Sequence, residues 1–250
     1  MKKIVIGLGI VVIFVLLQNC MNYDVVYRSF ITTYLVWSDN DIDLRNTKAG
    51  NIAITRNYNA NSMYVSYDSK GKEKELYDKF CKEHNDMTYN NKRNKKVHGP
   101  GIATVSATDF TSIDIKSNND FDAEHPAGSS LGDIVRFVSF SPKRFIDSGY
   151  KDRSDWVSSK PQIFDREPEM ENKIGEKILN AGWKDLSAFF VINKLLTEIG
   201  SDDMQMLPKS RHGYLIFDKS PTAQKEHLLT VTIYIRGGKV ITKTITKVFE

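Results

Sequence analysis

The feature that most constrains the fold lies at the C-terminus, where Leu228 to Ile235 and Val240 to Phe249 are two β-branched, apolar runs joined by Arg236-Gly237-Gly238-Lys239. Adjacent glycines tolerate the positive φ angles of a two-residue type I′ turn, so the segment reads as a β-hairpin. That turn pairs Ile235 with Val240, Ile233 with Thr242, Val231 with Thr244 and Leu229 with Thr246 on one face. The opposite face, carrying Tyr234, Ile241, Thr232 and Lys243, is half solvated, as expected for one layer of a sandwich.

Other segments carry the same β signature. Val25 to Trp37 is β-branched and aromatic with no Gly or Pro, and predicts a long opening strand. Asn51 to Tyr58 and Ser62 to Tyr67 flank Asn59-Ala60-Asn61, which predicts a second hairpin. Strand patterns recur at Ile102 to Ser106, Ser112 to Lys116 and Ile134 to Ser141, with a turn-rich stretch from Asp120 to Asp133 between the last two.

Helical periodicity is confined to fewer places. Leu76, Phe80 and His84 recur every four residues within Lys72 to His84, predicting a surface helix. Pro168 at a first helical position, acidic Glu169 and Glu171, apolar Met170, Ile174 and Ile178, and Gly182 at the end predict another. Asp185 caps a further helix ending at Gly200, unless the nearly continuous apolar run Phe189 to Leu196 is a strand.

The N-terminus reads as an export signal. Lys2 and Lys3 precede an uncharged run from Ile4 to Leu17, shorter than the roughly 20 residues that span a bilayer. No Ala-x-Ala pattern follows for ordinary cleavage. Leu16-Leu17-Gln18-Asn19-Cys20 instead resembles a lipobox, in which the Cys20 thiol receives a diacylglycerol and becomes the new N-terminus. An uncleaved anchor helix is the competing reading, and either one tethers the protein to a membrane. With Cys20 acylated, Cys81 has no partner, and its aromatic surroundings in Tyr77-Asp78-Lys79-Phe80-Cys81 suit a buried, inert thiol.

Chemistry-bearing motifs are few. The net charge of +4, two units of it from leader lysines, implies no nucleic-acid partner. The polar, basic stretch Tyr89 to Lys96 reads as a solvated loop. Gly128-Ser129-Ser130-Leu131-Gly132 fits G-x-S-x-G, with His125 and Asp133 nearby, but it lacks the preceding strand and following helix of a nucleophile elbow. Asp39, Asp41 and Asp43 alternate like the opening of a calcium loop, yet Leu44 and Gly50 stand where its Gly and Glu belong. His84, His98, His125, His212 and His227 are scattered, with no metal-ligand spacing and no cofactor motif.

The leader ending at Cys20, Glu124-His125-Pro126-Ala127-Gly128-Ser129-Ser130-Leu131 in mid-chain, and Leu215-Ile216-Phe217-Asp218-Lys219-Ser220-Pro221-Thr222 before the final hairpin together resemble Bacteroides-type lipoproteins built on a domain of unknown function with immunoglobulin-like character. The resemblance carries no catalytic residues.

The expected organisation is a signal segment over residues 1–20 and one β-rich domain over 21–250, with a helical segment at about 168–199. The expected fold is mainly β: an antiparallel two-layer, immunoglobulin-like sandwich with two or three peripheral helices, the alternative being an α+β single sheet. The expected function is that of an exported, membrane-anchored lipoprotein of the cell envelope, its lipid (palmitate among the acyl chains) on Cys20. It acts as a non-catalytic binding or assembly module for a glycan, peptide or protein. The alternative is a secreted serine hydrolase using Ser130 with His125 or His212.

Overall fold

The computed structural model describes residues 28–37, 42–57, 61–89, 104–155, 186–209 and 211–250. The leader, Cys20, the basic loop after Tyr89 and the helix expected at Pro168 to Gly182 lie outside them; Tyr89 itself, read as the start of that solvated loop, is buried in the core. Among the described residues no helix is long and apolar enough to cross a membrane.

The fold is mainly β, with antiparallel sheets packed as in a sandwich. A five-stranded sheet runs in the order β2 (Ile42–Asn46), β3 (Ile52–Arg56), β9 (Arg211–Phe217), β7 (Val135–Ser141), β8 (Phe190–Leu195). A three-stranded sheet of β11 (Val240–Val248), β10 (Glu226–Ile235) and β6 (Phe110–Ser117) packs on one face. Its Ile113, Ile115, Leu229, Val231 and Ile233 meet Ile52, Ile54, Val135, Phe137 and Leu215 in one core. The opposite face of the central sheet gives Ala53, Val138, Phe140, Tyr214 and Ile216 to a second core. That core is closed by a sheet of β4 (Ser62–Ser66), β1 (Thr33–Trp37) and β5 (Thr104–Ser106), with helices α1 (Gly71–Glu83) and α2 (Lys143–Asp147).

Several elements depart from the sequence reading for identifiable reasons. The opening strand begins only at Thr33, because the Phe30 and Ile31 backbone N–H groups donate to the Asp86 carboxylate (2.7 and 2.8 Å) instead of joining a ladder. β1 pairs antiparallel with β4 but parallel with β5. β3 and β4 form no hairpin: both edges of β3 are taken by β2 and β9, so the connection crosses to another sheet. The helix expected to run on from Asp185 is only a 3₁₀ turn, Leu186–Ala188, followed by β8 on the edge of β7. Tertiary pairing overrides local propensity there, and the strand alternative is the observed one. In α1 the buried side chains are Tyr77 and Cys81, with Leu76 and Phe80 half-buried beside them.

The C-terminal hairpin forms, shifted by one residue from the expected register. Tyr234 pairs with Val240, Ile233 with Ile241, Val231 with Lys243 and Leu229 with Ile245. The turn is longer: the Ile235 N–H donates to the Lys239 carbonyl (2.8 Å), and Gly237 and Gly238 hold φ of +93° and +88°. Since strand side chains alternate faces, one residue of slip exchanges them all. Thr242, Thr244 and Thr246 are therefore exposed, while Ile241 and Ile245 pack on the core and Lys247 is buried.

This register makes a direct prediction. Thr244→Lys should leave the unfolding free energy from urea titration within about 0.5 kcal/mol of wild type, whereas Ile245→Asp should cost about 2 kcal/mol. The pairing expected from a two-residue turn gives the reverse order.

Candidate functional site

Ser130 lies where the 120–133 loop meets β6, bridged to Lys116. Its hydroxyl donates to Asp114 (2.6 Å) and accepts weakly from the Gly132 N–H (3.3 Å). His125, only 4 % exposed, is held on both sides: Nδ1 contacts Asp122 Oδ1 (2.7 Å) and Nε2 contacts Asp133 (3.0 and 3.2 Å). Burial disfavours its charge, but hydrogen bonds to Asp122 and Asp133 outweigh that and raise its pKa above the ordinary value. With both ring nitrogens already engaged by carboxylates, the imidazole offers Ser130 no free nitrogen to take its proton. The geometry thus joins Ser130 to a carboxylate rather than to His125, and His212 lies in a different core contact.

Asp122, Glu124 and His125 bring ligand atoms within 4.8 Å of one another, a donor set able to hold a cation. Asp122 Oδ1 is nonetheless already occupied, accepting from the Glu124 N–H, the His125 N–H and His125 Nδ1 (2.9, 2.9 and 2.7 Å). Of the acidic triplet, Asp39 and Asp41 lie outside the described residues, and Asp43 contacts Arg45 at 3.8 Å.

The other described histidines are core residues. His227 Nε2 faces the Gln224 carbonyl (2.9 Å), which only accepts, so that nitrogen carries a hydrogen; Nδ1 lies 2.6 Å from the Ser117 hydroxyl. This buried serine–histidine pair, 110 positions apart, ties β6 to β10 beneath Phe121 and Phe249 and had no sequence signal. His84 stacks on Tyr34 and reaches Asp109 at 3.6 Å, with burial pushing its pKa down to about 4. Cys81 is buried under α1, and burial pushes its thiol up to about 12, the environment of an inert thiol.

His212 differs from these. Between β3 and β9 the register shifts: Ile54 pairs with Gly213 and Thr55 with Arg211, leaving His212 opposite no residue. A bulge re-aims the side chain it carries. Gly213 makes this possible, because a Cβ there would lie 2.5 and 2.6 Å from the Phe137 ring and 2.9 Å from the Val138 carbonyl. The His212 ring is fully buried against Trp37 and Phe110, with centroids 4.0 and 5.1 Å away, and burial pushes its pKa down to about 3. Neither of its nitrogens has a hydrogen-bond partner.

The same is true of two neighbouring donors, Trp37 Nε1 and Arg56 Nε. The Arg56 Nη2 donates to the Ser62 hydroxyl, and Ser62 stands directly opposite Trp37 in the β1–β4 ladder, so the guanidinium ends against the residue that faces Trp37. Among the described residues, buried side-chain polar atoms without a partner number seven, and four belong to Trp37, Arg56 and His212. No described carboxylate pairs with Arg56. Buried polar groups are ordinarily satisfied, so such a concentration around one bulge sets this place apart from the rest of the described core. Trp37 and Arg56 were legible only as strand residues.

The His125 clamp is open to measurement. Stability contributed by a raised histidine is complete below about pH 6.5 and is lost as pH rises through its folded value. The His125 ring resonances should accordingly titrate above 6.5 in an NMR series and fall towards it in Asp133→Asn, while those of His212 stay neutral throughout pH 5 to 8. A His125 midpoint below 6.5 would show that burial, not the carboxylates, governs the ring.

No family model, curated protein or solved structure matches this chain.

Proposed function

We propose that the protein is an exported, lipid-anchored binding module of the cell envelope. Cys20 carries the lipid, and the β-domain, not a catalytic centre, does the work. The reading of the leader rests on the apolar run that ends at Leu17 and on the lipobox-like Leu16-Leu17-Gln18-Asn19-Cys20. Acyl chains each contribute about 0.8 kcal/mol per buried methylene, so two hold the protein stably at a bilayer. From Cys20 to Arg28, the first described residue, an extended chain reaches at most about 28 Å, which keeps the domain close to the membrane surface.

The observation that carries the binding half is the group of unpartnered buried donors at the β9 bulge. Donors left unpaired in a protein interior cost free energy until an acceptor arrives, which is how a preorganised binding site is built. A glycan, peptide or protein presenting acceptor oxygens suits it. Ser130, hydrogen-bonded to Asp114, supports binding over hydrolysis.

Mass spectrometry of the N-terminal peptide tests the anchor: a start at Cys20 carrying acyl mass is expected, and an intact Met1 or a start beyond Asn22 rules the anchor out. Cys20→Ser should leave an unprocessed or mislocated precursor, with Cys81→Ser unchanged. A fluorophosphonate probe should not label the protein; labelling abolished by Ser130→Ala would establish a hydrolase instead.

A further inference from the structure

We infer that the cluster of Trp37, Arg56 and His212 binds a small oxyanion, a carboxylate or phosphoryl group, held by the indole N–H and the guanidinium Nε–H and bordered by the His212 ring. The inference rests on the binding reading above and gives its ligand a chemistry. It does not depend on the lipid anchor.

Three features select an anion. Trp37 Nε1 and Arg56 Nε are obligate donors, and both are buried without partners. A neutral histidine adds one ring N–H to them and one acceptor nitrogen, so the unmet demand is mostly for acceptors. Arg56 is also half-buried, and among the described residues its hydrogen-bond partner is the neutral Ser62 hydroxyl. A partly desolvated cation is costly without a counter-charge. A water molecule would satisfy the indole but leave the guanidinium uncompensated, whereas an oxyanion meets both needs with charge-assisted hydrogen bonds.

The rigidity of the surroundings also favours a preformed site. β1, β3, β4 and β9 each place one of the participating residues on a paired strand, and the bulge is fixed by Gly213 against Phe137 and by the Ser139 hydroxyl donating to the His212 carbonyl. Neighbouring strands position donors more sharply than loops do. Arg211, next to His212, donates to the Tyr214 hydroxyl (3.0 Å).

The test uses the full chain, ¹⁵N-labelled, in detergent micelles. Its three tryptophans, Trp37, Trp156 and Trp183, give three indole N–H signals, and Trp37→Phe assigns the relevant one while keeping an aromatic ring against His212. Sodium acetate or sodium phosphate is titrated at constant ionic strength against sodium chloride. The expected result is a saturable shift of the Trp37 signal with one of the two anions or both, which also tells a carboxylate site from a phosphoryl site. The other two indoles should stay still. In Arg56→Gln the half-saturating concentration should rise roughly tenfold or more, the loss expected for a charged hydrogen bond. Arg56→Lys retains the charge without the Nε–H and should fall between the two, which keeps the test decisive if Arg56→Gln does not fold. The inference is overturned if neither anion moves the Trp37 signal beyond the chloride control, or if the shift is undiminished in the Arg56 variants. Correct processing at Cys20 alongside either of those results would leave the anchor standing and remove only the ligand.

Discussion

Burial of the central sheet on both faces is the constraint on which the other elements depend. Ile52 and Ile54 point into one core and Ala53 into the other; Phe137 and Val138 divide in the same way, as do Leu215 and Tyr214. A sheet covered on one side tolerates alternating polar residues, but one covered on both needs apolar side chains at consecutive positions. Val135–Ser141 and Arg211–Phe217 meet that demand with nearly continuous burial. The remaining elements are the two covers: β6, β10 and β11 on one side, and β1, β4, β5 and the helices on the other.

Closing two cores leaves polar groups inside, and most are met by specific partners. Asp86, fully buried, accepts from the Phe30 and Ile31 N–H groups and from the Tyr150 hydroxyl at 3.0 Å. It thereby ends the irregular segment that precedes β1. Asp109 accepts from the Met206 N–H at 3.1 Å and lies 3.6 Å from both His84 and Arg236. Burial pushes both carboxyls up to about 6. Raised carboxyls contribute stability that is complete below the ordinary carboxyl range and is lost as pH rises through 6, while the depressed His84 and His212 contribute stability lost as pH falls below their ordinary 6.5. These two pairs oppose each other between pH 4 and 6, so the buried groups damp the acid response that either pair alone would give.

Much of this was legible in the sequence, and the parts that were not share a cause. Strand existence followed from composition and alternation: β3, β4, β7 and β11 fall within the expected runs, and β6 and β10 contain theirs and extend beyond them by one or two residues. Partnership did not follow. Asn51 to Tyr58 and Ser62 to Tyr67 are neighbours in sequence but belong to different sheets, because what pairs with β3 is decided by β9, over 150 residues away. The hairpin register was misplaced by one residue because a glycine pair serves a two-residue turn and a longer, bulged one equally well. Phe190–Leu195 was ambiguous locally and became a strand only because β7 offered an edge. The candidate site was the least legible part, since it is made by a bulge, and a bulge is a property of two strands together that neither sequence shows alone.

The same bulge explains why one histidine out of several stands apart. His125 is clamped between two carboxylates, His227 is bonded through both ring nitrogens, and His84 has Asp109 near its Nε2. Each sits where its segment is in register or in a tight loop, so its neighbours are set by ordinary turn and ladder geometry. His212 occupies the extra position of β9, where the ladder supplies no opposing residue and the ring turns towards Trp37 and Phe110. A phenylalanine would fill that space without leaving a polar atom unmet. Both nitrogens are instead buried against the Trp37 indole, whose N–H is equally unmet, as is the Arg56 Nε–H, an arrangement that costs stability. At this bulge the unpartnered donors outnumber the unpartnered acceptors, beside a guanidinium whose one bond among the described residues is to the Ser62 hydroxyl, so local packing alone gives no account of why polar groups stand here.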